Sequence, residues 1–440
     1  MMSQTSLESK LEALQCHFTW DLGEPSRSKL SRLRYQLEDI GTEEGNSWLG
    51  HIYNLRGYVQ YKLGFTQDAQ SLFNKAAEAF CQTRRADSDE GPWLVVNYGN
   101  LAWLHHHLGE QAESQAYLSK VDALMNKYPS PSQDELHPEI YAEKAWTLMK
   151  LGADITLATD YFQRAIRMQP DMVEWKTSHV LLLAKAAGNF NTRLEGDVLE
   201  RIRIAKEEDP ENLYLAVHYL EQNAKTMEKE RVEDEARELT EKILRNPVSS
   251  YSGLKALLWI YIRHVSVDEA IDLAEEALKH HPDVRYLKRC VALCYRVKIY
   301  FGEDGSRDQS MIDRAISLHE EVISLYPRSF IMKKIDLANI CAKSNHSLDK
   351  AEQIYQELLW RDLDPADKQL VYNRYANHKH FALRDSCRSA QYHMKAAEIP
   401  IQSFYRQNSI TILEQIRNRN WHQMRREVEE FLENLPEPEM

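Results

Sequence analysis

Residues 53–76 read YNLRGYVQYKLGFTQDAQSLFNKA, and this stretch decides the fold. A first apolar-periodic segment ends at a Gly turn, and a second carries Ala69, Phe73 and Ala76. Residues three and four apart share one face of a helix. Small side chains on that face let a neighbouring helix come close, and the large ring fills the gap between neighbours. This is the physical content of the tetratricopeptide repeat, a helix-turn-helix unit with a period of roughly 34 residues.

The unit recurs along the chain. Ala102, Leu118 and Val121 mark it at 98–121, and Ala145, Ala158, Phe162, Ala165 and Pro170 at 143–170. Tyr261, Ala270, Ala274, Ala277 and Pro282 suggest another at 258–282, with further units at 338–358 and 376–400. Small residues and helix-ending prolines recur together, which chance periodicity does not produce. Less regular helices are expected at 171–187, 194–207 and 211–225, and a last pair at 402–418 and 421–434. Polar connections are expected at 83–91, 129–135 and 302–309. The reading is all-α: a tetratricopeptide-repeat solenoid with an N-terminal array over 1–220 and a C-terminal array, shortened at its end, over 221–440.

Composition agrees with a folded, helix-rich chain. Only 15 Gly and 14 Pro occur in 440 residues, and 28% of residues are charged. The net charge of -12 opposes nucleic acid at long range, so RNA binding would need a locally basic pocket. The six cysteines, Cys16, Cys81, Cys290, Cys294, Cys341 and Cys387, form no CxxC pair and read as reduced, packed thiols. The start MMSQTSLESKLEALQ reads as an amphipathic helix and not a secretory signal, so cytoplasm is the expected compartment.

The motifs of catalysis are missing. No P-loop, GxGxxG, HExxH or nucleophile elbow occurs, and no cofactor is expected. His105, His106 and His107 are adjacent and so point about 100° apart on a helix, which keeps them from converging on one ion. They read as a solvated turn before Gly109. A binding protein is expected, not an enzyme.

Three segments carry a resemblance: CHFTW at 16–20, YGNLAWLHHHL at 98–108 and EKAWTLMKLG at 143–152. Together they resemble the interferon-induced proteins with tetratricopeptide repeats, from about Ser6 to about Pro400. The resemblance implies a compact superhelix around a basic central groove or tunnel. It also implies antiviral capture of the 5′ end of single-stranded RNA, a triphosphate or an incompletely methylated cap. Other members of that family act through protein partners, so the alternative is a scaffold in interferon signalling that binds no RNA. Related family members or a second copy of the chain are the implied protein partners; no membrane is.

Residue by residue, the resemblance places Arg32 and Gln36 on an early helix of the tunnel. It places Ile40 and Thr42 beside a cap base. Trp146 and Lys150, one turn apart, match an aromatic stacking face and a phosphate-holding cation. Lys185 and Lys255 fall on arginines of the family, keeping charge but losing the bidentate fork. Arg289 and Cys290 replace a His-Gln pair. Each has a plain alternative: Trp146 as a core tryptophan, the lysines as solvated helix charges.

Overall fold

The computed structural model describes residues 4–41, 47–84, 90–132, 134–152, 154–188, 196–301, 308–327, 331–344, 346–418 and 424–437. Thr42 and most of the connections expected at 83–91 and 302–309 lie outside these described residues. Twenty-two α-helices and no strand form among the described residues. No helix among them is long and apolar enough to cross a membrane. The chain divides into two compact units, Met1–Val265 and Ser266–Met440.

The first unit opens with α1 (Gln4–Glu12), α2 (Arg27–Asp39), α3 (Leu49–Lys62) and α4 (Thr66–Arg84). It continues with α5 (Val95–His107), α6 (Gln111–Lys127), α7 (Pro138–Leu151), α8 (Ile155–Met168), α9 (Val173–Gly188) and α10 (Gly196–Glu208). It closes with α11 (Leu213–Asn223), α12 (Lys229–Leu244) and α13 (Leu254–His264). Helices α3 and α4 form the hairpin expected at 53–76. Ala69, Phe73 and Ala76 are all fully buried. A Cβ added at Gly57 of α3 would lie 2.6 Å from the Phe73 ring, so only glycine admits that ring. Gly64, at φ +89°, supplies the left-handed turn between the two helices. The pairs α5–α6 and α7–α8 repeat the arrangement, with Ala102, Ala145, Ala158, Phe162 and Ala165 fully buried.

The second unit comprises α14 (Val267–His280), α15 (Arg285–Phe301), α16 (Gln309–Leu325), α17 (Ile331–Cys341) and α18 (Leu348–Leu359). It ends with α19 (Pro365–Phe381), α20 (Ser386–Glu398), α21 (Phe404–Arg417) and α22 (Arg425–Glu433). The pairs α17–α18, α19–α20 and α21–α22 fall where repeats were read.

One expectation is corrected. The histidine run is not a turn but the end of α5, and only its last member, His107, is exposed. His105 is buried, with Nδ1 2.5 Å from Glu110 Oε2 and its ring stacked on Tyr117. His107 Nδ1 meets the Tyr61 hydroxyl at 2.9 Å. No group of three metal-ligating side chains forms among the described residues. Cys16, Cys290, Cys294 and Cys341 are packed, while Cys81 is exposed.

Candidate anion-binding site in the first unit

Helix α2 has two chemically distinct faces. Leu30, Leu33 and Leu37 recur every three or four residues and are buried. The same spacing puts Lys29, Arg32 and Gln36 on an exposed face about 100° around the helix from it. The Ser26 hydroxyl caps the helix, accepting from the Lys29 backbone N–H at 3.2 Å. Helix α7 ends nearby at Gly152, in the left-handed conformation at φ +62°.

Between these two helices lies a cavity of about 230 Å³. Its polar lining is Lys29, Arg32, Gln36 and Lys150; Pro25, Leu30, Leu33 and Leu151 supply apolar wall, and no carboxylate lines it. Arg34, on the other side of α2, is neutralised by Glu38 at 3.0 Å. Neither Lys29 nor Arg32 has a carboxylate partner among the described residues. In a chain of net charge -12, three cations and an amide facing one concavity are a local inversion of sign. Anions are drawn to such a pocket, and its low-dielectric walls strengthen the attraction.

Lys150 is the unusual member. Its Nζ sits 4.5 Å from the centre of the Tyr251 ring and 5.1 Å from that of Trp146, and it donates to the Tyr251 hydroxyl. Tyr214 packs on Tyr251 at 5.4 Å. Burial draws the Lys150 pKa down from 10.5 to about 7. The same cause raises that of Tyr251. The ammonium therefore titrates near neutral pH, and an arriving anion holds its proton on.

The other residues singled out from the sequence lie elsewhere. Trp146 does not line the cavity. It is fully buried, and Trp48 lies parallel on it, ring centres 5.5 Å apart at 14°. Ile40 is buried in the same core. Lys185 on α9 and Lys255 on α13 are exposed and do not line the cavity. Arg289 belongs to the second unit, where its guanidinium lies 5.0 Å from the ring centre of buried Tyr326. Arg285 and Lys333 approach the same ring, each at 4.7 Å. Lys29 was missed in the sequence, although the spacing 29, 32, 36 was there to be read.

The three segments that carried the resemblance meet in a buried polar layer. His17 of CHFTW donates its backbone N–H to Asn100 Oδ1 at 3.0 Å, and its Nε2 lies 3.1 Å from the Thr147 hydroxyl. Asn97 Nδ2 donates to Asn54 Oδ1 and to the Phe73 carbonyl, both at 2.8 Å. Asn54 Nδ2 in turn donates to Glu143 Oε1 at 2.8 Å. Burial lifts the Glu143 pKa to about 8 and lowers that of His17 to about 3. Both are therefore mainly neutral at pH 7, as dry surroundings demand. This layer fixes how α3, α5 and α7 sit together, and so where α7 presents Lys150.

No family model matches the chain. Protein IFIT1 homolog B of Homo sapiens is 27% identical over 441 residues, covering 96% of this chain and 90% of that protein. Human interferon-induced protein with tetratricopeptide repeats 2 is 28% identical, covering 90% of this chain and 84% of its own. A solved human IFIT1 dimer with PPP-AAAA superposes with a TM-score of 0.67 at 24% identity, covering 96% of this chain and 92% of that one. The human IFIT1 dimer with m7Gppp-AAAA gives 0.68 at 25% identity, with the same coverage.

Proposed function

We infer that this chain, a relative of the interferon-induced proteins with tetratricopeptide repeats along nearly its whole length, captures the phosphate-bearing 5′ end of single-stranded RNA as an antiviral effector. The observation that carries this is the cavity lined by Lys29, Arg32, Gln36 and Lys150, basic in an acidic chain and without a carboxylate. Human IFIT1, a relative of the same fold, is solved with PPP-AAAA and with m7Gppp-AAAA.

In this reading the terminal phosphates displace water from the cavity. Arg32 offers a bidentate fork, Lys29 and Lys150 offer point charges, and Gln36 donates an amide N–H. Lys150 takes up or retains a proton as the phosphate arrives, because the complex favours its charged form. Arg285, Arg289 and Lys333 gather positive charge around Tyr326 in the second unit. The mechanism is sequestration without turnover, in the cytoplasm.

A second reading, a protein-interaction scaffold, has one observation in its favour. The second unit exposes Trp360 (87%), Phe301 (80%), Phe404 (69%) and Phe381 (67%). Titration of a 5′-triphosphorylated and a 5′-hydroxyl oligonucleotide of one sequence separates the two. Capture of the 5′ end predicts strong preference for the triphosphate. It also predicts a fall in log affinity with log salt of slope about -2 if three phosphate contacts form on a single strand. Equal, weak binding of both would leave the scaffold reading standing.

A further inference from the structure

Trp146 and Lys150 stand one turn apart on α7, an arrangement that suits a planar base stacked beside its phosphates. In this molecule the stacking position is already filled. The Trp48 indole lies 14° from parallel to that of Trp146 with ring centres 5.5 Å apart, the offset geometry that aromatic pairs prefer. Trp146 is fully buried and Trp48 is only 6% exposed, so the pair leaves no open ring face. Trp48 is braced from behind: His51 meets it edge-on at 4.6 Å, and Phe80 meets His51 at 4.9 Å. The stack also adjoins the cavity, because Lys150 lines that cavity and sits over the Trp146 ring.

We propose that Trp48 is a specificity-determining residue, an indole built into the slot where a base or cap guanine would stack, so that the site accepts a bare phosphate terminus and rejects a capped one. The proposal rests on the reading of the cavity as a 5′-phosphate site. Its physical logic is substitution: indole and purine are both flat fused bicycles, and a slot filled by the first cannot take the second without paying to eject it. Of the phosphate-binding groups, Lys150 sits over the Trp146 ring, whereas Lys29, Arg32 and Gln36 are carried by α2. Phosphate capture therefore survives while base stacking is lost.

The test uses the full chain, its Trp48→Ala and Trp48→Leu variants, and two probes, PPP-AAAA and m7Gppp-AAAA, titrated side by side. The quantity read is the ratio of capped to triphosphate affinity, which does not depend on the fraction of variant that is folded. Wild type should favour the triphosphate by at least about tenfold, the scale of one lost base stack. In Trp48→Ala the ratio should rise toward the cap by about tenfold or more, and less so in Trp48→Leu, whose side chain fills part of the slot. Trp48→Leu also serves if the alanine variant does not fold, since any rise in its ratio supports the proposal and none overturns it. Free indole supplies an independent reading: it should compete with m7Gppp-AAAA on the variant and not with PPP-AAAA on wild type. Wild type that binds the capped oligomer as tightly as the triphosphate overturns the proposal alone. Wild type that binds neither overturns the parent reading together with it.

Discussion

Replacing Lys150 with methionine is expected to stabilise the unliganded protein while removing its affinity for a 5′ phosphate. Methionine keeps the unbranched apolar stem and deletes the ammonium. The magnitude follows from the titration of that ammonium. Burial moves its pKa from 10.5 to about 7, and each unit is worth about 1.36 kcal/mol, so holding the charge inside the fold costs at most about 5 kcal/mol. The side chain keeps partial access to solvent and faces two aromatic rings, which brings the realised cost to about 1–3 kcal/mol. The sign is set by linkage. A base whose pKa is depressed in the folded state destabilises that state fully below about pH 7, and the penalty fades as pH rises toward 10.5. The gain from Lys150→Met should therefore be largest near pH 6 and roughly halved at pH 9. Urea unfolding of both proteins at the two pH values measures it, and the same preparations are titrated with PPP-AAAA. A variant no more stable than wild type at pH 6, or a gain that ignores pH, would refute the argument that Lys150 is held charged at a cost for the sake of a ligand.

Lys150→Arg, whose guanidinium stays protonated, should flatten the pH dependence of binding; wild-type affinity should fall toward tenfold per pH unit above about pH 7, followed by titration against a pH series. Arg32→Glu should weaken triphosphate binding at least about tenfold, from the loss of one charged hydrogen bond, and should make the salt slope shallower by about one. A slope unchanged in that variant would remove Arg32 from the phosphate site. Phe73→Ala empties the fully buried contact between α3 and α4 and should cost about 3–5 kcal/mol in thermal or denaturant unfolding, with no change in the pH profile of what binding remains.

The repeat hairpins were legible in the sequence because their cause is local. Gly57, Gly64, Ala69, Phe73 and Ala76 each act within one helix pair, and spacing alone announces them. Arg32 and Gln36 could be set on one face of α2 by their spacing, and Lys29 by the same rule. That Lys150 of α7 joins them is a fact of three dimensions. The resemblance matched Trp146 to a ligand-stacking residue; Trp48, about a hundred residues earlier, covers it, and no local pattern linked the two. The segments that carried the resemblance turned out to share a physical cause. His17, Asn100 and Thr147 share one buried hydrogen-bonded group, and Asn97 and Glu143 meet through Asn54 in another, so the specificity of those segments reflects mutual satisfaction as well as any ligand.

The central claim is that a phosphorylated 5′ end is held in the first unit between α2 and α7. The most direct measurement is a crystal structure of the full chain with PPP-AAAA. The account predicts phosphate oxygens within hydrogen-bond distance of the side chains of Lys29, Arg32 and Lys150, with the Trp48–Trp146 stack intact. Phosphates bound elsewhere with this cavity holding only water would contradict it.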